Sequence, residues 1–134
     1  MNQFYPVNLD EIRDSESKLG IQIPELLKEF YVEVGYGFLK SKVDNINRIM
    51  DPESVLDFRL RQYDFEFYPD IEIYNQFEDD KLVFFEANEV ALLSIGFAAE
   101  NEGKIYYYDK EIAPNLVDLL DRLMEDDTFY YDLI

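Results

Sequence analysis

The sequence predicts an α+β fold: two N-terminal helices, a mainly antiparallel sheet of about five to six strands, and a C-terminal helix packed on the sheet. Three observations carry this. Apolar residues recur at helical spacing up to Val34. The middle of the chain holds short β-branched and aromatic runs separated by turn residues. Helical spacing returns after Pro114. Helices and strands are thus segregated along the chain, which favours α+β over an alternating parallel architecture. With 134 residues, of which 48% are hydrophobic, residues 1–134 form a single domain with ample material for one core.

Leu9 to Leu19 is the first expected helix, with Leu9, Ile12 and Leu19 on its apolar side. Asn8 is placed to cap it, Glu11 stands three residues on as in a capping box, and Gly20 suits the left-handed residue beyond its end. Pro24 opens a second helix, where its missing N–H costs nothing, and Leu26, Leu27, Phe30, Tyr31 and Val34 form its stripe up to Gly35. Residues 35–39 turn into a first strand, and Ile46 to Met50 is a second. Asp51-Pro52 then suits the start of a short helix through DPESVLDFRL.

From Tyr63 to Tyr74 apolar and polar residues alternate: Phe65, Phe67, Ile71 and Ile73 on one parity, Asp64, Glu66, Asp70 and Glu72 on the other. That is the pattern of a half-buried strand interrupted at Pro69. Leu82–Phe85, Ala91–Phe97 and Lys104–Tyr108 read as further strands, the last two joined by a turn at Glu100-Asn101-Glu102-Gly103. The final helix carries Leu116, Leu119, Leu120 and Leu123 on one face.

Charge is the unusual feature. Thirty acidic against twelve basic residues give a net charge of −18, beyond what solubility asks of a small domain. Residues 1–62 hold eight basic and eleven acidic residues, whereas residues 63–134 hold four and nineteen. Such a field repels nucleic acid and anionic membrane, and it attracts a basic protein partner. The N-terminus has neither the basic start nor the apolar stretch of a signal peptide, so a cytoplasmic location is expected.

Histidine and cysteine are both absent, which removes the commonest general base, the usual zinc sites and every Ser-His or Cys-His nucleophile. No phosphate-binding glycine loop or HExxH motif occurs. Glu78-Asp79-Asp80 and Glu125-Asp126-Asp127 lack the spacing and glycine of a calcium loop and read as solvated turn and helix-end charge. The expectation is a binding protein with no catalytic residues, cofactor or metal. The polar parity of the alternating stretch supplies the candidate partner-binding residues: Tyr63, Asp64, Glu66, Tyr68, Asp70, Glu72 and Tyr74. Tyrosine among carboxylates offers contact area with a polar tip.

Glu16, Leu19-Gly20, Ile23-Pro24, Phe30 and Gly35-Tyr36-Gly37 together resemble the signature of the SUKH superfamily. The resemblance continues through Asn47 to Val55, Leu92-Leu93-Ser94-Ile95-Gly96, Ile105 to Asp109 and the helix from Ala113 to Met124; it is weakest over residues 58–80. It implies an α+β domain and, for bacterial members, an immunity protein that binds and neutralises a cognate toxin domain. A basic nuclease-like toxin would suit the acidic charge, although the resemblance does not select a nuclease over a deaminase. The alternative it implies is a regulatory or scaffolding domain without a toxin partner. Oligomeric state is left open by the sequence.

Overall fold

Asn8 sets the start of the first helix: its Oδ1 accepts the Glu11 N–H at 2.9 Å. Helix α1 runs Leu9–Leu19 and ends at Gly20 in the left-handed conformation, φ 69°. The Glu16 carboxylate then turns the chain, accepting the Ile23 N–H at 2.8 Å and pairing with Lys28 at 3.3 Å. Helix α2, Glu25–Glu33, follows Pro24 and buries Leu27 and Tyr31; Leu26 and Val34 lie exposed, so its apolar stripe is narrower than expected. Gly35 is required where it stands. Its φ is 118°, and a Cβ there would lie 2.2 Å from the Tyr5 carbonyl oxygen.

The computed structural model describes residues 3–39, 47–68, 71–87 and 91–126, with the side chains of Gln3, Asp64, Ala87 and Ala91 excepted. Among these, seven strands form one sheet: β1 Gln3–Tyr5, β2 Tyr36–Leu39, β3 Asn47–Ile49, β4 Lys81–Ala87, β5 Ala91–Gly96, β6 Ile105–Tyr107 and β7 Lys110–Ala113. Spatial order equals chain order, and every neighbouring pair is antiparallel. The architecture is α+β as expected, with a strand count above five to six because β1 and β7 join as short edges. In β4 and β5, Leu82 to Phe85 and Leu92 to Ile95 are all buried, so both faces of the sheet centre are covered.

Helix α3, Pro52–Leu60, leaves the sheet after β3 and packs on both α1 and β4. Its start is held by Arg48, which reaches Glu86 at 2.7 Å, Ser54 Oγ at 3.1 Å and Asp51 at 3.3 Å. Helix α4, Leu116–Glu125, is capped by Asn115 and packs on β7 through buried Leu116, Leu119 and Leu123. Arg122 adds a hydrogen bond to the Ile112 carbonyl at 2.8 Å.

The expected strand over 63–74 does not form. Residues Tyr63–Phe65 and Ile71–Phe77 are 3₁₀ helices, the second longer than the usual three or four residues. A 3₁₀ helix repeats every three residues, and the inward set does too: Phe65, Tyr68, Ile71, Tyr74 and Phe77 are all buried or half-buried. Phe67 and Ile73, assigned to the buried parity of a strand, fall off this phase and are 88% and 45% exposed. Tyr74, assigned to the outer parity, is 7% exposed.

Candidate functional site

Because α1 and α3 pack side by side, their outward carboxylates face a common space. A groove of about 890 Å³ runs there, and Glu11, Asp14, Asp51, Glu53 and Asp57 line it, with Lys18 as the sole basic lining residue among those described. Ser15, Pro52 and Leu56 also line it, and Tyr36, Leu60 and Tyr63 bring apolar surface. Tyr36 continues into exposed Tyr5, whose ring centroid is 5.6 Å away.

Some of this charge is already committed. Lys18 pairs with Asp14 at 3.1 Å, and its pKa is raised chiefly by the hydrogen bond and charge of Asp14, with Glu53 adding. Asp57 accepts from Gln62 Nε2 at 2.8 Å, and Asp51 is tied to Arg48. Even so, five carboxylates against the Lys18 ammonium and the Arg48 guanidinium leave the groove negative. A smaller depression of about 300 Å³ between α1 and α2 mixes Arg13 and Lys28 with Glu16, Glu25, Glu29 and Glu33. Among the described residues no cluster of acidic side chains is arranged to hold a metal ion.

The five candidate residues whose side chains the structure describes do not share a face. Tyr63 stands on the rim of the groove, 75% exposed. Glu66 and Glu72 are exposed elsewhere on the segment. Tyr68 packs its ring at 6.3 Å from Phe58 and 5.6 Å from Phe65. Tyr74 stacks on Tyr108 at 5.5 Å. The Asp64 side chain and Asp70 lie outside the described residues. Nor is the 78–80 triplet simply solvated. Glu78 is buried and meets Arg61 at 3.0 and 3.2 Å, and Asp80 binds Lys81 and Asn101.

Sequence reasoning missed most of the groove. Its acids come from residues 11–57, the less acidic half of the chain. A local signal was present: Glu11 and Asp14 share one outer face of α1, and Glu53 and Asp57 share one of α3, at spacings that make helical neighbours. That the two faces meet is a tertiary fact.

The first helix ending at Gly20 and the second opening after Pro24 match the expectations drawn from the N-terminal pattern. Residues 9–120 match the SUKH family described as SMI1-KNR4 cell-wall. The chain belongs to the SUKH family. It is 55% identical over 133 residues to a Bacillus subtilis (strain 168) protein named Immunity protein YxxD, a likeness covering 99% of this chain and 90% of that relative. Among the described residues of this SUKH protein, no helix is long and apolar enough to cross a membrane.

Proposed function

We propose that this SUKH protein is an immunity protein that binds and neutralises a cognate toxin domain, acting as a stoichiometric inhibitor. The observation that carries the reading is its 55% identity, over 99% of its length, to a protein named for immunity. The regulatory or scaffolding alternative has no comparable support.

The groove between α1 and α3 supports a surface for the inhibition. Its five carboxylates suit a toxin whose own surface is basic, as in enzymes that hold nucleic acid by neutralising phosphate. An acidic inhibitor seated on such a surface excludes the anionic substrate, and its net charge of −18 accelerates encounter.

The test is co-expression with the protein encoded immediately upstream. Growth arrested by that protein should recover when this one is present, and the two should co-purify. The variant Glu11→Gln/Asp14→Asn/Glu53→Gln/Asp57→Asn should associate roughly ten-fold or more slowly, with a flatter salt dependence. Lysine at Asp64, Glu66, Asp70 and Glu72 tests the 63–74 carboxylates in the same way. Continued arrest despite folded, soluble protein would end the immunity reading, and unchanged association by the groove variant would end the role of the groove.

A further inference from the structure

Phe67 and Tyr63 are the two most exposed large hydrophobic residues among those described, at 88% and 75%. They stand four residues apart on a segment whose backbone is firmly held. Phe65 and Tyr68, on either side of Phe67, are packed against Phe58, with Phe65 5.2 Å from it edge-on. The segment is closed at its base by Arg61, which binds both carboxylate oxygens of Glu78, the Phe58 carbonyl at 2.6 Å and Asn75 Oδ1 at 2.7 Å. Arg59 adds hydrogen bonds to the carbonyls of Glu78 and Lys81. Arg61 and Tyr63 both sit at positive φ, 56° and 55°. A non-glycine residue holds that conformation only where its surroundings impose it. The Tyr63 ring, being exposed, gains no packing in return.

We propose that Phe67 and Tyr63 are anchors, each held out on a fixed backbone, that insert into apolar pockets of the toxin rimmed by Lys and Arg. This rests on the immunity reading given above. Charge selects the occupant: Tyr63 borders the groove with Glu53 and Asp57, and Glu66 and Glu72 lie exposed on the same segment. A second copy of a chain with net charge −18 is repelled there, whereas a basic rim is attracted. With the backbone beneath them fixed before contact, the two rings lose only side-chain freedom on binding, and aromatic anchors buried in an interface carry most of its energy. The carboxylates thus govern arrival and the two rings govern departure.

The experiment measures binding kinetics of the whole protein to the purified, catalytically inactivated protein encoded immediately upstream. Phe67→Ala should raise the dissociation rate about thirty-fold, the equivalent of about 2 kcal/mol, and change association less than about three-fold. The salt dependence should stay that of wild type. Tyr63→Gly removes a ring and relieves its backbone, so dissociation should accelerate while the melting temperature stays at least as high as wild type. Met124→Ala, on α4 and 73% exposed, should change nothing. Wild-type dissociation rates in Phe67→Ala and Tyr63→Gly would overturn the proposal while leaving the immunity reading standing, as would an equal effect from Met124→Ala. Absence of binding by the wild-type protein would overturn both.

Discussion

Residues 8–35 and residues 61–78 are both dense in apolar and acidic side chains, yet they fold by different rules. The first stretch is organised from within. Asn8 caps α1, Gly20 ends it, and Glu16 joins it to α2. The second is organised from outside, by the ring of Phe58 at its centre and the Arg61–Glu78 pair across its base. Local capping makes a helix predictable from neighbours in sequence. A clamp between residues seventeen positions apart does not.

Removing the clamp is the strongest way to break this comparison. Arg61→Ala leaves the Glu78 carboxylate buried without its cation and should cost about 2 kcal/mol. That is below the 3–5 of a fully buried pair, since Arg61 and Glu78 side chains retain 23% and 11% exposure. Denaturant unfolding reads the loss. Hydrogen exchange should rise in residues 62–77 while α1 stays protected; equal loosening of both would erase the distinction drawn here. In the other region, Asn8→Ala removes one cap and should cost about 1 kcal/mol, with fraying confined to the first turn of α1.

The smallest effect concerns pH. Burial raises the Glu78 carboxyl above its ordinary value, outweighing the nearby Arg61 and Arg59 guanidinium groups that pull it down. The native state therefore holds that proton more tightly than the unfolded chain. Its stabilising contribution is full below the ordinary carboxylate pKa and is lost as pH rises through the raised native value. The stability of wild type relative to Glu78→Gln should accordingly fall as pH rises from below the ordinary carboxylate pKa through the raised native value. A flat difference between the two melting curves would show that Arg61 cancels the cost of burial.

The legibility of the sequence follows the same division. Asn8, Gly20 and Pro24 announced two helices because each acts through backbone groups within a few residues. Leu116, Leu119 and Leu123 announced α4 through their spacing alone. Edges β1 and β7 were missed: three and four residues carry too little pattern, and pairing with β2 and β6 makes them strands. In 63–74, alternation and a three-residue repeat coincide at Phe65 and Ile71, and only extending the count through Tyr74 to Phe77 separates them. The groove was the least legible, because each of its walls is the ordinary solvated face of a helix until the other helix is beside it.

The sheet has one further consequence. Its ladder runs through neighbours in chain order, with two long departures: residues 6–35 between β1 and β2, and Met50 to Asp80, which leaves after β3 and returns to pair as β4 directly alongside. The described residues of 62–77 contribute no rung to any strand pairing. Their outward positions can therefore be rewritten while the scaffold keeps every ladder hydrogen bond, provided Phe58, Arg61, Glu78 and the inward Phe65, Tyr68, Ile71, Tyr74 and Phe77 are kept. The chain is in this sense a fixed frame carrying a segment whose outward side chains are free of any part in the sheet.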